Sequence, residues 1–377
     1  MALRALARVN LAAIERNVAR LRSGLTGGAE LAAVVKGNGY GHGALPAAQA
    51  ALAGGAWSLA VATAGEAAEL RAGGIDAPVL VMGAVSDEEL PVALAARSEL
   101  VAWTESFVER VRGALAGSAD APVRVHVKLD TGMGRLGTRD SGEALRVADR
   151  IAAAWPALAL AGAMTHFASA DEDPEFTAAQ LARFAPFVVA MRERWPGIIV
   201  HAANSAATLR EPASHFDLVR CGIAIYGCDP MNHDSAAHGL EPALELTSYV
   251  AAVKLARAGD SAGYGRRFIA DHDTWIATIP VGYADGVRRA LTNNCEVLIG
   301  GRRYPLVGTV SMDNITVEVG SAEAIRCGDR VTIIGADGPE RQTAEQVARR
   351  IDTINYEILC GLTARVPRLY HRDGTPA

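Results

Sequence analysis

Eight apolar segments, each followed by a loop with glycine or polar residues and then by a longer Ala-rich helical pattern, fill residues 31–227. They are LAAVV (31–35), WSLAVAT (57–63), APVLVM (77–82), ELVAWT (99–104), VRVHVKL (123–129), ALAGAMT (159–165), IIVHAAN (198–204) and LVRCGIAIYG (218–227). Continuous apolar segments that alternate with helices are typical of parallel strands buried on both faces. Eight such units predict an α/β fold with an eight-stranded (β/α) barrel of the TIM type.

The character of the sequence changes after about residue 240. Short segments rich in Val, Ile and Thr, such as TWIATIPV, CEVLIG and RVTIIG, replace the helical pattern and are separated by Gly, Asn and Asp. Such segments are typical of strands. We therefore predict a barrel domain at residues 10–238 and a mostly β C-terminal domain at 239–377 that also includes residues 1–9.

The charge pattern and the apolar segments bear on partners and location. The formal net charge is -5, and Lys and Arg are scattered rather than gathered in a basic stripe, so we expect no nucleic-acid partner. No apolar segment approaches the roughly 18 residues that span a bilayer, and no signal-peptide core is present. We expect a cytoplasmic protein without a membrane partner. A transit peptide in the Arg-rich N-terminus is the alternative, and it is disfavoured because Asn10 suits a helix N-cap.

Cysteine usage and short motifs exclude several classes of site. The five cysteines are widely spaced and contain no C-x-x-C pair, which suits a reducing compartment. H-E-x-x-H, Walker and G-x-S-x-G motifs are absent, and no G-x-G-x-x-G motif belongs to a Rossmann unit. We therefore expect no metal site and no nucleophilic serine of the hydrolase type.

In a barrel of this type the functional groups belong at the carboxyl ends of the strands. Lys36 directly follows the first apolar segment and opens the glycine-rich loop KGNGYGHG. An amine that leaves an apolar strand is partly desolvated, which favours the neutral form needed for Schiff-base or general-base chemistry. Glycines allow a backbone to approach a ligand closely. The alternative interpretation is a solvated loop lysine.

Four further segments end in polar groups. These are Lys128 at the end of the fifth with Asp130 and Arg135 after it, His166 after the sixth, Asn204 at the end of the seventh with Ser205 after it, and Arg220 within the eighth. Plain structural alternatives are a Lys128–Asp130 ion pair, a core histidine and a helix cap at Ser205. Arg220 resists such an explanation, because a buried guanidinium needs a partner. Convergence of these groups on one barrel mouth predicts a site.

The segment AVVKGNGYGHG resembles the cofactor-lysine motif of the alanine racemases, pyridoxal-phosphate-dependent enzymes of fold type III. Other segments resemble that family in the same order: KLDTGMGRLG, MTHFASADE, HAANSAAT, VRCGIAIYG, AGYGRRF, IPVGYADG, VGTVSMDN and TINYEILCGLTARVPR. The resemblance covers residues from about 8 to about 370. The departures are Gly37 and Gly39, where Ala is common, Cys221 in place of Pro, and Ser311 in place of the Cys of some members.

The resemblance implies that Lys36 binds pyridoxal 5'-phosphate covalently at the barrel mouth, where the cofactor acts as an electron sink. The remaining cofactor-binding residues would be Tyr40, Ser205, Tyr356 and the backbone of Gly222 and Ile223 at the phosphate, Arg135 at the phenolic oxygen, Arg220 at the pyridine nitrogen, and also His166. Lys128 would carry a carbamate, an anion that can hold the guanidinium of Arg135.

The resemblance also implies a two-base exchange of L-alanine and D-alanine, the latter supplied for peptidoglycan. Lys36 would act on one face of the substrate and Tyr264 on the other. A phenol needs help to lose its proton at neutral pH, and Arg220 acting through His166 would supply it. The family forms homodimers in which the β domain of one subunit completes the barrel mouth of the other.

In such a shared site Tyr264 and Met312 would act across the dimer interface. The backbone near Met312 and the side chain of Arg135 would bind the substrate. The closest rival function is that of a serine or broad-specificity racemase, although secreted members of that kind carry signal peptides. Single-barrel pyridoxal-phosphate-binding proteins without activity lack a β domain, and related amino-acid decarboxylases are longer and place Cys and Asp at the second site.

Overall fold

The structure is a computed structural model that describes residues 4–115, 121–321 and 325–377. The chain divides into two compact units. One comprises Ile14–Gly39 and Ala44–Ile225, and the other comprises residues 4–13, Tyr40–Gly43 and Tyr226–Ala377. Each unit has its own sheet and its own buried core.

The first unit is a parallel barrel. Strand β1 (Leu6–Asn10) belongs to the other unit, and the strands that follow it form the barrel: β2 (Glu30–Val34), β3 (Ser58–Val61), β4 (Val79–Val81), β5 (Glu99–Ala102), β6 (Val123–Lys128), β7 (Leu158–Met164), β8 (Ile199–His201) and β9 (Leu218–Cys221). Their order is β8-β7-β6-β5-β4-β3-β2-β9. Backbone N–H groups of Asp217 and Arg220 donate to Val200 and Ala203 and join β8 to β9. The predicted eight-stranded barrel is confirmed.

The barrel strands are buried on both faces, as the continuous apolar segments predicted. Every residue of β3, β4 and β5 is buried. The eighth segment needs a correction, because only Leu218–Cys221 is a strand and Ile223–Tyr226 is a 3₁₀ helix. Periodicity alone cannot separate a buried strand from a buried helical turn in a continuous apolar run.

Helices alternate with the barrel strands. They span Leu11–Ser23, Ala44–Ala53, Ala64–Ala72, Leu90–Ala95, Glu105–Ala114, Ser141–Ala153, Pro174–Arg194 and Ser205–Arg210, with a 3₁₀ turn at Pro212–Ser214. Side chains of Thr63, Asp140 and Asp173 cap their N-termini by accepting backbone N–H groups. Asn10, which was predicted to cap the first helix, directly precedes it. Its amide donates to Asp373 Oδ1 at 2.9 Å and accepts the Asp373 N–H at 3.1 Å.

The second unit is mostly β, which confirms the predicted C-terminal fold. After β1, its strands are β10 (Leu244–Tyr249), β11 (Ala252–Ala256), β12 (Ser261–Ala262), β13 (Phe268–Ile269), β14 (Thr274–Ile279), β15 (Glu296–Ile299), β16 (Arg302–Val307), β17 (Ile315–Glu318), β18 (Arg330–Asp337), β19 (Glu340–Gln342), β20 (Arg368–Arg372) and β21 (Thr375–Pro376). Strand β1 pairs antiparallel with β10 and parallel with β20.

Short helical elements complete this unit. They are the helices Ala344–Arg349 and Asn355–Cys360 and the 3₁₀ turns Ser235–His238, Tyr264–Arg266 and Arg289–Leu291. Within the described parts of the chain, no helix combines the length and apolar character that crossing a membrane requires. None of the five cysteines forms a disulfide.

Candidate active site

Lys36 is the second residue after β2, at the carboxyl end of the barrel, and begins an unusual turn. Gly37, Asn38 and Gly39 have φ values of 62°, 53° and 63°, which is a left-handed helical turn. L-residues with a Cβ are strained in this conformation, glycine is not, and Asn tolerates it best among the others. The Asn38 Oδ1 atom accepts the backbone N–H of Ala44 at 2.9 Å. The two glycines that depart from the family pattern therefore suit this backbone.

Glu66 ties the lysine turn to the neighbouring strand end. Its Oε1 accepts the N–H of Gly37 at 2.6 Å, and its Oε2 accepts the N–H of Ala62 at 2.8 Å. The same residue forms a capping box with Thr63 at the start of the next helix. Sequence analysis did not single out Glu66, although the T-x-x-E pattern after the second apolar segment is visible.

Arg220 lies in β9 and is 2% exposed. Its Nη1 contacts His201 Nδ1 at 2.9 Å, its Nη2 contacts His166 Nδ1 at 3.2 Å, and Nη2 also donates to the carbonyls of Thr165 and Ala202, each at 2.9 Å. Burial lowers the pKa of Arg220 to about 10, so the guanidinium is still charged at neutral pH. The partner that a buried guanidinium needs is supplied here by imidazoles and carbonyls.

The histidine beside Arg220 is neutral. Burial, followed by the positive charges of Arg220, Lys128, Arg135 and Lys36, lowers the pKa of His166 well below 6.5. Because a guanidinium can only donate, His166 Nδ1 must accept, and the proton of the neutral ring is on Nε2. His166 is therefore a donor on the side that faces away from Arg220.

The residue after Arg220 in the sequence, Cys221, is a buried thiol. Its Sγ lies 3.5 Å from Thr208 Oγ1. Burial raises the pKa of Cys221 to about 12, although the neighbouring Arg220 acts in the opposite direction. The thiol is thus protonated and fills the position where Pro is usual in the family.

Lys128 ends β6 and is buried. Burial first, and then the charges of Arg220 and Arg135, lower the pKa of Lys128 to about 8, while Asp130 offsets part of this effect. The charge of Lys36 acts in the same direction as the two arginines. The structure thus brings Lys36, Lys128, Arg135 and Arg220 within electrostatic range of one another at the barrel mouth.

Asp130 does not form the plain ion pair with Lys128 that was the structural alternative. Its carboxylate accepts the backbone N–H groups of Gly132 and Gly134 at 3.0 Å and pairs with Arg139 at 3.2 Å. Burial alone would raise the pKa of Asp130, but these hydrogen bonds outweigh it and keep the pKa below its ordinary value. Asp130 therefore organises the loop that carries Arg135, whose side chain is exposed.

Ser205 lies at the first position of a short helix. The cap of this helix is Asn204, whose Oδ1 accepts the Ala207 N–H at 3.0 Å, so the interpretation of Ser205 as a helix cap is wrong. Ser205 Oγ instead accepts the N–H of Gly222 at 2.9 Å and that of Ala224 at 3.4 Å. The start of this helix and the start of the Ile223–Tyr226 turn thus meet at one hydroxyl.

Tyr40 and Tyr356 come together in the β unit. Tyr40 is buried, and its ring centroid lies 5.1 Å from that of Tyr226 and 6.0 Å from that of Tyr356. Tyr356 lies in the helix Asn355–Cys360, which Asn355 anchors by donating to Asp229 O at 2.8 Å. The two predicted phosphate-binding tyrosines are therefore neighbours.

Tyr264 and Met312 lie on the surface of the same unit. Tyr264 is 75% exposed and Met312 is 51% exposed. Thr309 Oγ1 donates to the backbone oxygen of Tyr264 at 2.6 Å, which holds the tyrosine turn against the segment that leads to Met312. Ser311 closes that segment, because its Oγ donates to Asn314 O at 2.8 Å and accepts the Asn314 N–H at 3.0 Å.

Two family models match the chain, one for each part. The model described as "Alanine racemase, N-terminal domain" matches residues 9–230, and the model described as "Alanine racemase, C-terminal domain" matches residues 243–370. The chain belongs to the alanine racemase family. The resemblance inferred from the sequence motifs is therefore confirmed.

Individual family members are similar in sequence to this chain over nearly their whole length. The alanine racemase of Geobacillus kaustophilus is 41% identical over 97% of this chain and 94% of its own, and alanine racemase 1 of Bacillus subtilis is 40% identical over 98% and 93%. The crystal structure of alanine racemase from D-cycloserine-producing Streptomyces lavendulae has a TM-score of 0.92 at 35% identity, and covers 98% of each chain.

Three residues of the barrel interior were not singled out from the sequence. Glu99, His126 and His201 are buried and hydrogen-bonded in series with Arg220. A signal was present, because the alternation in VRVHVK puts His126 on the same strand face as Lys128. No comparable pattern identifies Glu99, which begins its apolar segment.

Proposed function

We propose that this chain is a pyridoxal-phosphate-dependent alanine racemase that interconverts L-alanine and D-alanine. The observation that carries the proposal is the group of four cations at the barrel mouth, one of them the lysine on the left-handed turn. Such a group suits a ligand with several negative charges. Family membership supplies the class of reaction.

The residues present fit pyridoxal phosphate. Ser205 Oγ already accepts two backbone N–H groups, so its own hydrogen is available for a phosphate oxygen, and it lies where two helical N-termini meet. A guanidinium that is buried and permanently charged suits a position beside an unprotonated pyridine nitrogen. When bound, the cofactor supplies an electron sink for the charge left on the substrate α-carbon.

Each residue would have a defined task in holding the cofactor. Lys36 would hold the cofactor covalently, Arg220 would face the ring nitrogen, and Arg135 would bond the phenolic oxygen. Tyr40, Tyr356, Ser205 and the backbone of Gly222 and Ile223 would bind the phosphate. The contact between the rings of Tyr40 and Tyr356 supports this grouping. We further propose that Lys128 carries a carbamate that orients Arg135.

Proton transfer needs one base on each face of the substrate α-carbon. We propose the Lys36 amine for one face and the Tyr264 hydroxyl for the other. The tautomer of His166 supports the second assignment, because its Nε2–H can donate to a phenolate and favour that form. Arg220 keeps the proton on Nε2 by donating to Nδ1. Arg135 and the backbone near Met312 would bind the substrate carboxylate.

Tyr264 and Met312 are proposed to serve the barrel of a partner subunit in a homodimer. Their exposure supports this, because catalytic groups that complete a site in another chain must be accessible on their own. The surface depression beside Tyr264 has a volume of about 440 Å³ and is lined by Gly263, Tyr264, Thr309, Ser311, Asn314 and Thr316. We also propose that the boundary between the barrel domain and the β domain lies between residues 238 and 239.

Alanine is favoured as the substrate, ahead of serine or a wider range of amino acids. The similar structure from Bacillus anthracis, 37% identical with a TM-score of 0.89, is described as an alanine racemase with bound L-Ala-P. We propose that the D-alanine formed is used for peptidoglycan. A cytoplasmic location is proposed on the five cysteines, none of which is in a disulfide.

The cofactor assignment can be tested sharply because the chain contains only three lysines, Lys36, Lys128 and Lys254. We expect the purified enzyme to be yellow and borohydride to fix the cofactor onto the Lys36 peptide. Lys254→Arg, an exposed position on β11, is the matched control and should label normally. Cofactor on the Lys128 or Lys254 peptide would refute the assignment. Chiral chromatography of a panel of L-amino acids then measures side-chain preference.

A further inference from the structure

A chain of buried hydrogen bonds runs through the barrel from Glu99 to Arg220. Glu99 Oε2 contacts His126 Nε2 at 2.8 Å, His126 Nδ1 contacts His201 Nε2 at 2.9 Å, and His201 Nδ1 contacts Arg220 Nη1 at 2.9 Å. The four residues come from the four different strands β5, β6, β8 and β9. Glu99 is the first residue of β5, so its carboxylate lies toward the end of the barrel opposite Lys36.

The proton positions along this chain have one consistent solution. Arg220 only donates, so His201 Nδ1 accepts and its proton is on Nε2. That Nε2–H donates to His126 Nδ1, so the proton of a neutral His126 is also on Nε2 and points at the Glu99 carboxylate. Burial first, and then the positive charge of Arg220, lower the pKa of His201 well below 6.5. This agrees with a neutral ring.

The carboxylate at the end of the chain is ionised. Burial alone would raise the pKa of Glu99, but its interactions with His126, and then those with Arg124, outweigh burial and lower the pKa to about 2. Glu99 Oε1 accepts Arg124 Nε at 2.5 Å, so each carboxylate oxygen has a donor. An ionised carboxylate is an acceptor only, so with both imidazoles neutral it fixes the direction of every hydrogen bond that follows.

The opposite direction would break the contact with Arg220. If His126 carried its proton on Nδ1, that N–H would face His201 Nε2, and the proton of a neutral His201 would move to Nδ1. Two donors, this N–H and the guanidinium, would then face each other inside the barrel, where an unsatisfied polar group is costly. No described hydrogen bond of Arg220 goes to a carboxylate. The orientation of the guanidinium therefore depends on imidazole nitrogens and backbone carbonyls as acceptors.

We propose that Glu99 is a positioning residue for the reaction at the barrel mouth: through His126 and His201 it sets the tautomer that holds the Arg220 guanidinium in place. The inference rests on the proposed racemase function, since Arg220 matters there as the cation beside the cofactor ring. Glu99 touches neither substrate nor cofactor. Its effect is transmitted by the direction of the hydrogen bonds alone, in which neighbouring bonds polarise and reinforce one another.

Two substitutions at Glu99 separate this role from simple packing. Glu99→Leu removes the acceptor for His126. Glu99→Gln keeps one oxygen for His126, because Arg124, whose side chain is 44% exposed, can turn to solvent when its own acceptor is lost. Glu30→Gln is the matched control, since Glu30 begins β2 and pairs with Arg22 at 3.3 Å on the surface.

The primary readout is the tautomer of each histidine, measured by NMR of ¹⁵N-histidine-labelled holoenzyme and assigned with His126→Gln and His201→Gln. In the wild type and in Glu30→Gln we expect both rings to be neutral with the proton on Nε2. Glu99→Gln should keep this pattern, and Glu99→Leu should lose it at His201. The second readout is alanine racemisation, in which Glu99→Leu should lower kcat by about tenfold with little change in KM, and Glu99→Gln should restore most of it.

The outcomes discriminate clearly. A wild-type His201 protonated on Nδ1 would overturn the inference without any variant, even if Glu99→Leu failed to fold. A fall in kcat with unchanged tautomers would show a packing effect only, and changed tautomers with unchanged kcat would remove the role in the reaction. A wild-type enzyme that racemises no amino acid would instead refute the proposed function, and the tautomers would still report on the hydrogen-bond chain.

Discussion

Replacing Lys128 by methionine should stabilise the cofactor-free protein near neutral pH. The pKa of Lys128 lies at about 8 instead of 10.5, which corresponds to about 3 kcal/mol of unfavourable free energy for the charged amine in the folded state. In the unfolded chain the amine keeps its proton up to about pH 10.5, whereas the folded protein releases it near pH 8. The destabilisation is therefore full below pH 8 and disappears as the pH rises to about 10.5.

The same shift prepares Lys128 for carbamylation. At about pH 7.5 roughly a quarter of the Lys128 amines are neutral, against about one in a thousand for an ordinary lysine. The neutral amine forms a C–N bond with carbon dioxide and releases one proton, and the resulting carbamate is an anion. It would lie among Arg220, Arg135 and Lys36, the cations that disfavour the ammonium form. A destabilising charge is thereby replaced by a stabilising one.

The assay is thermal unfolding of the cofactor-free wild type and of Lys128→Met in CO₂-free buffer and in bicarbonate, at matched pH and ionic strength. Bicarbonate should raise the Tm of the wild type only, and ¹³C-bicarbonate should give a carbamate signal that Lys128→Met lacks. Lys128→Ala should lose racemase activity and regain part of it with acetate. No bicarbonate effect, no carbamate signal and no acetate rescue together would refute the proposal and leave Lys128 an unmodified buried amine.

Three further predictions concern the second base, the shared site and the backbone. Tyr264→Phe should lower racemisation by about a hundredfold or more while cofactor absorption is unchanged, and wild-type α-proton exchange from both enantiomers would contradict the two-base assignment. A mixture of the inactive Lys36→Ala and Tyr264→Phe proteins should regain activity in mixed dimers, and no regain after demonstrated subunit exchange would count against shared sites. Gly41→Ala should destabilise the fold by about 2 kcal/mol more than Gly74→Ala, as measured by denaturant unfolding, because both have φ above 80° but only Gly41 would place its Cβ 2.2 Å from a backbone oxygen. Equal losses of unfolding free energy in the two variants would show that backbone strain from the positive φ alone matters.

Much of the barrel could be predicted because its signal is local. Each parallel strand is short, buried on both faces and followed by a helix, and each of these features leaves a mark in the adjacent sequence. The extent of the eighth strand was beyond this signal, since residues 218–227 are apolar throughout whether they extend or turn. The glycines after Lys36 indicated a close backbone approach, but the left-handed turn that they form depends on hydrogen bonds that Glu66 and Asn38 accept from backbone N–H groups.

The interior of the barrel was less predictable because its contacts join residues far apart in the sequence. Lys128 and Arg220 were identified since each stands out as a charge at or within an apolar strand. His126 and His201 were not, because a histidine in such a segment is compatible with an ordinary core position, and its partner is set by the stagger between strands. The same holds for Asp130, whose carboxylate is taken by Arg139 and by two backbone N–H groups rather than by Lys128.

The distribution of charge along the barrel explains how one fold can hold a buried cation without neutralising its own active site. A carboxylate placed directly on Arg220 would stabilise the guanidinium, but it would also cancel the positive charge that the proposed anionic cofactor would need. Here the ionised carboxylate of Glu99 is two imidazoles away, and Asp130 is engaged by its own loop. In the proposed arrangement hydrogen-bond direction passes along two neutral imidazoles, whereas net charge does not. Arg220 is thus oriented from one end of the barrel while its charge is kept for the other.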